Sequence, residues 1–198
     1  MKHAVILAHP NVDSFNAAIA RACVETLTEM GHDAALHDLY AMDFDPRLRA
    51  SELPGPKGFT AAGDVVIERD RLADVDSFIF VYPFWFNAPP AILKGYVDRV
   101  FSMGFGYAPG VGGTKTLLDG RSLMSFTTSG APDHWVNSTG AMQALTAVFD
   151  HHLAGVTGLT VFDHKHFGGI HSSLTKIAAN DILGQVRASL RKTFPGRA

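Results

Sequence analysis

The sequence predicts an α/β domain in which a parallel sheet is covered by helices on both faces. Three observations carry that prediction. Residues Ala4 to Ala8 form a continuous apolar run, the pattern of a central strand buried on both sides. A helix-like pattern starts a few residues later. Short apolar runs then recur along the chain, each separated from the next by a helix-like stretch, which implies strand–helix–strand crossovers.

After Ala4–Ala8, the segment Ser14 to Met30 places Ile19, Cys23, Leu27 and Met30 at spacings of four, four and three, one face of a helix. Gly31 follows as its C-cap. Residues 32–39 form a second strand, Ser77–Tyr82 a third, Ser122–Thr128 a fourth and Leu159–Asp163 a fifth. Helices are expected over Ala62–Ala73, Pro90–Phe101, Thr139–Leu153 and Leu174–Thr193. A length of 198 residues suits one domain, 1–198. Two connections, Met42–Ala61 and Ser102–Gly120, are longer than compact domains ordinarily carry, and read as lids, binding loops or interface elements.

Composition narrows the function classes. The 17 Lys and Arg nearly balance the 19 Asp and Glu and are scattered, so no basic field invites nucleic acid or anionic lipid. The lone cysteine, Cys23, excludes an internal disulfide and fits a reducing compartment. The start "MKHAVILAHP" lacks the apolar core of a signal peptide, and no run is apolar enough for membrane insertion. A cytoplasmic protein is expected.

In an open parallel sheet, ligands bind beyond the carboxyl ends of the strands. Three such loops stand out: "HPNVDSFN" (9–16), "YPFWFNAPP" (82–90) and "TTSGAPDHW" (127–135). The first opens a helix, whose unpartnered N–H groups and dipole favour an anion. Alone it is weak evidence, since Ser14 reads as a plain N-cap and His9 as a buried, satisfied histidine. In the second, Trp85 and Phe86 offer faces for stacking, or a hydrophobic dimer patch. Pro89–Pro90 opens the next helix, and Lys94 and Asp98 form a solvated pair within it. The third presents small residues, Thr127 to Gly130, that let a ligand approach the backbone closely. Other motifs fail. "GFGYAPG" follows a helix with the wrong glycine spacing for a dinucleotide fingerprint, and neither a P-loop nor Gly-x-Ser-x-Gly occurs. His151, His152, His164 and His166 invite a zinc reading but lack a compact third ligand, so no metal is assigned.

Read together, these segments resemble the NAD(P)H:quinone oxidoreductases, flavoproteins of flavodoxin-like fold. "HPNVDSFN" resembles that family's flavin phosphate loop. "DLYAMDFDP" (38–46) is similar to its segment after the second strand, and "YPFWFNAPPAILKGYVDRVF" followed by "GFGY" to its signature around the isoalloxazine. "TTSG" is similar to the loop along the ring's other edge. The resemblance implies a doubly wound five-stranded parallel sheet of order 2-1-3-4-5 and a homodimer with active sites at the subunit interface. It also implies that His9, Ser14, Phe15 and Asn16 contact the flavin phosphates. By the same resemblance Pro83, Phe84, Trp85 and Phe86 line the isoalloxazine, while Thr127, Thr128, Ser129 and Gly130 contact its polar edge.

One departure is visible. Animal members carry a tyrosine and a histidine after the Thr-Thr loop; a gap-free count from Thr127 puts Trp135 and Ala141 there. Trp135, with its indole donor, and His134 are the expected catalytic replacements. The function this implies is two-electron ping-pong hydride transfer from NAD(P)H through FAD, or alternatively FMN, to a quinone-like acceptor. Alternatives are a flavin, azo or nitro reductase, a flavodoxin-like electron carrier, and a flavin-bound ancillary subunit of a potassium-efflux-type transporter.

Overall fold

A computed structural model describes residues 1–54 and 58–196; the rest of the expected Met42–Ala61 loop, 55–57, lies outside the described residues. In chain order the elements are β1 (Lys2–Leu7), α1 (Phe15–Glu29), β2 (Asp33–Asp38), α2 (Gly63–Arg71), β3 (Ser77–Pro83) and α3 (Ala91–Val100). There follow β4 (Tyr107–Gly110), β5 (Gly113–Thr116), β6 (Ser122–Thr128), α4 (Asp133–Ser138), α5 (Ala141–Leu145), a π-turn (Thr146–His151), α6 (His152–Thr157), β7 (Thr160–Phe167) and α7 (Lys176–Thr193).

Five strands form one parallel sheet in the order β2-β1-β3-β6-β7. Omitting the small β4–β5 pair from the count, this is the expected 2-1-3-4-5. Helices cover both faces. On one, α1 and α7 pack over Val5, Leu7, Ile79, Val81, Met124 and Phe126. On the other, α2, α3 and the α4–α6 segment pack over Ile6, Phe78, Phe80 and Tyr82. The central strands β3 and β6 are buried at every residue; β3 reads as an apolar run after Ser77, whereas β6 buries Ser122, Ser125, Thr127 and Thr128 among its apolar residues. No helix among the described residues is long and apolar enough to cross a membrane.

Three expectations change. The fifth strand continues past Asp163 to Phe167, pairing His164 with Ser125 and His166 with Thr127. As an edge strand it is only partly buried, so its apolar pattern gives out early. The helix expected over Thr139–Leu153 starts at its N-cap Gly140, at φ 73°, and runs through α5, the π-turn and α6 to Thr157, past its expected end. The Ser102–Gly120 connection is not structureless, because β4 and β5 pair there as a hairpin.

Candidate flavin site

The loops after β1, β3, β6 and β7 meet at one edge of the sheet. Backbone hydrogen bonds lock them together: Phe84 N–H donates to Thr128 O (2.7 Å), Ser129 N–H to Phe167 O (3.1 Å), and Ile170 N–H to Ser129 O (2.8 Å). Gly168 is required where the last two loops touch. A Cβ there would lie 2.5 Å from Asp133 N and 2.6 Å from Ala131 O. Its own N–H donates to Asp133 Oδ1 at 2.6 Å.

Between these loops lies a cavity of about 140 Å³. It is lined by His9, Phe15 and Asn16 from the first loop, Pro83 and Trp85 from the second, and Thr128, Ser129 and Gly130 from the third; Ile170 closes it. Of the other expected contacts, Ser14 caps α1, its Oγ accepting from Ala17 N–H at 3.1 Å. Phe84 is buried behind the cavity, its ring edge-on to His166 at 5.6 Å. Thr127 is fully buried one layer below. Phe86 is fully exposed beside the cavity mouth residue Trp85, and its φ of 49°, with 56° at Asn87, places two side-chain-bearing residues in the left-handed region. That conformation costs on the order of 1–3 kcal/mol per residue, and such strain clusters at functional sites. Trp135 and His134 lie exposed on α4, and neither lines the cavity of this chain.

The polar equipment suits a polar heterocycle carrying a phosphate. His9 Nδ1 accepts from Asn11 N–H (3.0 Å), which leaves the ring's proton on Nε2 as a donor. Burial holds the His9 imidazole below the ordinary histidine range, so it acts neutral, 5.6 Å from the Trp85 ring. Asn16 Nδ2 donates to Thr128 Oγ1 (2.8 Å), while its buried Oδ1 has no partner among the described residues. An acceptor buried without a partner costs about 1–3 kcal/mol, which a ligand N–H or O–H would recover. Phe15 and Asn16 begin α1, where the helix leaves backbone N–H groups free for an anion. The residues present therefore fit a flavin: stacking wall, anion end, and an unmet acceptor between them.

A second set of residues escaped sequence reasoning. His164 and His166, weighed above only as zinc ligands, flank Thr127 Oγ1 at 3.0 and 2.9 Å. Their alternation opposite Ser125 and Thr127 was the available signal. Asp150, on the π-turn, had none. Among the described residues no group of three His, Cys, Asp or Glu is placed to hold a metal ion.

Comparisons with known proteins agree with this geometry. A family model described as flavodoxin-like fold matches residues 1–193. An uncharacterised NAD(P)H oxidoreductase of Haemophilus influenzae is 32% identical over 97% of this chain and 99% of its own length. NAD(P)H dehydrogenase [quinone] 1 of Cavia porcellus is 34% identical over 64% of this chain, a match spanning about half (53%) of that longer protein. The solved NAD(P)H:quinone oxidoreductase from Methanothermobacter marburgensis has 27% identity and a TM-score of 0.84, covering 96% of this chain and 98% of that one.

Proposed function

The chain belongs to the flavodoxin-like fold family of NAD(P)H:quinone oxidoreductases, and from that premise we propose that it binds a flavin in the cavity between Trp85 and Ser129 and uses NAD(P)H to reduce a quinone-like acceptor. The observation that carries the reading is the convergence of His9, Asn16, Trp85, Thr128 and Ser129 on one cavity, with Asn16 Oδ1 buried and unmet among the described residues.

When bound, the flavin supplies reversible two-electron hydride chemistry; the protein supplies binding, orientation and electrostatics. The α1 N-terminus and the His9 Nε2–H hold the phosphate end. Trp85 provides the stacking wall, and Pro83 and Phe15 exclude water around it. Ser129 N–H is already engaged by Phe167 O, so the backbone donor of the third loop narrows to Gly130 N–H. Such preorganised donors, aimed where negative charge develops, are worth about 10²–10³ in rate elsewhere. One cavity would admit donor and acceptor in turn, and ping-pong kinetics are the expectation. The exposed Trp85 and Phe86 suit a homodimer in which a second subunit covers this loop.

An anaerobic titration tests the reading. The purified protein, loaded with FAD or FMN, should show a flavin spectrum that bleaches with one equivalent of NADH or NADPH and returns on adding a quinone. The flavin released on denaturation identifies which one it is. A protein that binds neither flavin removes the proposal; bound flavin that pyridine nucleotide leaves oxidised favours the carrier or ancillary-subunit reading.

A further inference from the structure

The reaction proposed above consumes a proton: NAD(P)H, one proton and a quinone give NAD(P)⁺ and hydroquinone. Neither Trp135 nor His134 lines the cavity of this chain. A different set of titratable side chains reaches the cavity from below.

Asp150 lies fully buried on the π-turn. Its Oδ1 accepts from Ser125 Oγ (3.1 Å), and its Oδ2 accepts from His164 Nδ1. His164 Nε2 is 3.0 Å from Thr127 Oγ1, which is 2.9 Å from His166 Nδ1. His166 Nε2 is 2.9 Å from Ser129 Oγ, and Ser129 lines the cavity. Ser129 Oγ also lies 2.8 Å from Ala131 O, which accepts whenever that hydroxyl turns away from His166. The π-turn matters, because such turns recur at functional sites and this one carries Asp150 inward.

We propose that Asp150, His164, Thr127, His166 and Ser129 form a one-proton store that opens onto the cavity and delivers its proton to the acceptor bound there. The proposal rests on the flavin reading of that cavity.

The donor and acceptor inventory closes in both states. Empty, the chain has His164 Nδ1–H on Asp150, Thr127 O–H on His164 Nε2, His166 Nδ1–H on Thr127 Oγ1, and Ser129 O–H on His166 Nε2. Loaded, His164 is an imidazolium against the Asp150 carboxylate. Its Nε2–H donates to Thr127 Oγ1, Thr127 O–H to His166 Nδ1, His166 Nε2–H to Ser129 Oγ, and Ser129 O–H to Ala131 O or to a ligand. Delivery shifts each of those protons one place toward the cavity. Ser129 gives its proton to the acceptor, His166 replaces it, Thr127 reprotonates His166, and His164 reprotonates Thr127. One proton leaves, one positive charge disappears, and every hydrogen bond within the chain is remade. Asp150 and Ser125 stay as they are.

The surroundings suit storage of one proton. His166 faces Thr127 and Ser129 on β6, the Phe84 ring, Asp133 on α4 and His164 on its own strand. Burial holds its imidazole below the ordinary range; Asp133 pulls it up and His164 pushes it down. His164 faces Asp150, Thr127 and the Tyr82 ring, 6.3 Å away between centroids. Two cationic imidazoles sharing one hydroxyl oppose each other, whereas one cation is paired with Asp150.

The first test needs no cofactor. Long-range proton–nitrogen spectra of ¹⁵N-histidine-labelled apoprotein read the tautomer and titration of each ring, assigned with His164→Gln and His166→Gln. The expected result is a single proton taken up by the coupled pair, with the uptake moved down by about one pH unit or more in Asp150→Asn. Thr127→Val should uncouple the two rings and Thr127→Ser should restore the coupling. Independent titrations in the wild type, or an Asp150→Asn protein that titrates identically, would overturn the store.

The second test uses the flavin-loaded protein. Thr127→Val and His166→Gln should leave reduction by NAD(P)H within about twofold and slow reoxidation by quinone by about tenfold or more. Thr127→Ser should recover the rate. Unchanged reoxidation in both variants sinks the proposal while the flavin reading stands. Failure of the protein to bind flavin removes the cavity's role and the delivery step with it, and the histidine spectra tell that case apart.

Discussion

Two buried polar clusters sit on the same face of the sheet, and they end differently. Arg99, on α3, is 1% exposed, and it is held by Glu52, itself buried, and by Asp64, whose side chain is 39% exposed. Its guanidinium donates to Glu52 at 3.0–3.2 Å, to both oxygens of Asp64 at 2.7 and 2.9 Å, and to the Asp45 carbonyl. The Asp150–His164–Thr127–His166 chain has Asp150 and Thr127 buried and its histidines partly buried, and it terminates at Ser129, in the wall of a cavity. A closed cluster positions the elements that contribute to it; here it clamps the 45–52 loop and α2 onto α3. An open one presents a terminal hydroxyl to whatever enters. The two differ in what they bring to the surface: both oxygens of Asp64 are held by Arg99, whereas the other chain ends in the Ser129 hydroxyl.

The comparison breaks first at Arg99. Arg99→Ala would strand the Glu52 carboxylate, itself 3% exposed, and should cost about 3–5 kcal/mol in denaturant unfolding. A loss below 1 kcal/mol would mean that the cluster does not clamp these elements. Next come the two glycines that let backbone approach each cluster. A Cβ at Gly95 would meet Pro46 O at 2.2 Å, and one at Gly168 would meet Asp133 N at 2.5 Å. Gly95→Ala and Gly168→Ala should each cost about 1–3 kcal/mol. Only Gly168→Ala should also weaken flavin affinity, by tenfold or more in equilibrium titration, because it displaces the loop that lines the cavity. Equal effects on affinity would erase the distinction.

Acid sharpens it. Burial pulls the Glu52 carboxyl up, but the hydrogen bonds from Arg99 outweigh it, and the same guanidinium holds Asp64 low against a smaller burial effect. A folded carboxyl below its unfolded value contributes stability that is fully present at neutral pH and is lost as pH falls below about 4.5. Another closed pair acts earlier. Burial, reinforced by the stacked His32 ring, pushes the His3 imidazole down to about 4. Between an ordinary 6.5 and that value the unfolded chain binds a proton that the folded chain refuses, so stability should fall by roughly 2–3 kcal/mol on acidification across that window. His3→Gln should flatten the thermal melting profile from pH 7 to 4.5 while leaving the steeper loss below it.

The smallest effect concerns the turn after β3. Phe86 and Asn87 both hold positive φ, a geometry that glycine adopts freely. Phe86→Gly should stabilise the apoprotein by about 0.5–1 kcal/mol by relieving that strain. The same variant should loosen flavin binding or dimer formation, read by titration and by sedimentation. A variant that is more stable and otherwise unchanged would assign the strain no function.

The legible part of this molecule is the part whose residues are covered on all sides. Ala4–Ala8, Ser77–Tyr82 and Ser122–Thr128 announce central strands, and the loops after them hold most of the cavity lining. The rest depends on contacts between residues far apart in the chain. Glu52 looks like an ordinary loop carboxylate until Arg99, 47 positions later, is folded against it. Gly95 looks like a weak helix residue until Pro46 occupies the space a side chain would need. His164 and His166 carry an alternation that any edge strand might show, and only the register against Ser125 and Thr127 gives it meaning. Ile170 contributes no chemistry that a motif would display.

The π-turn at Thr146–His151 has a further consequence for how this chain can vary. It accommodates one residue beyond the regular helical repeat, and each residue of an α-helix advances the azimuth by about 100°. Deleting a single residue between Thr146 and Phe149 would restore an ordinary helix and swing the carboxylate now at Asp150 away from the sheet. The cavity, its loops and the sheet beneath would keep their sequence. Insertion and deletion at this one turn are thus a switch of phase, through which relatives of identical fold can acquire or discard the buried carboxylate without altering any residue that a ligand touches.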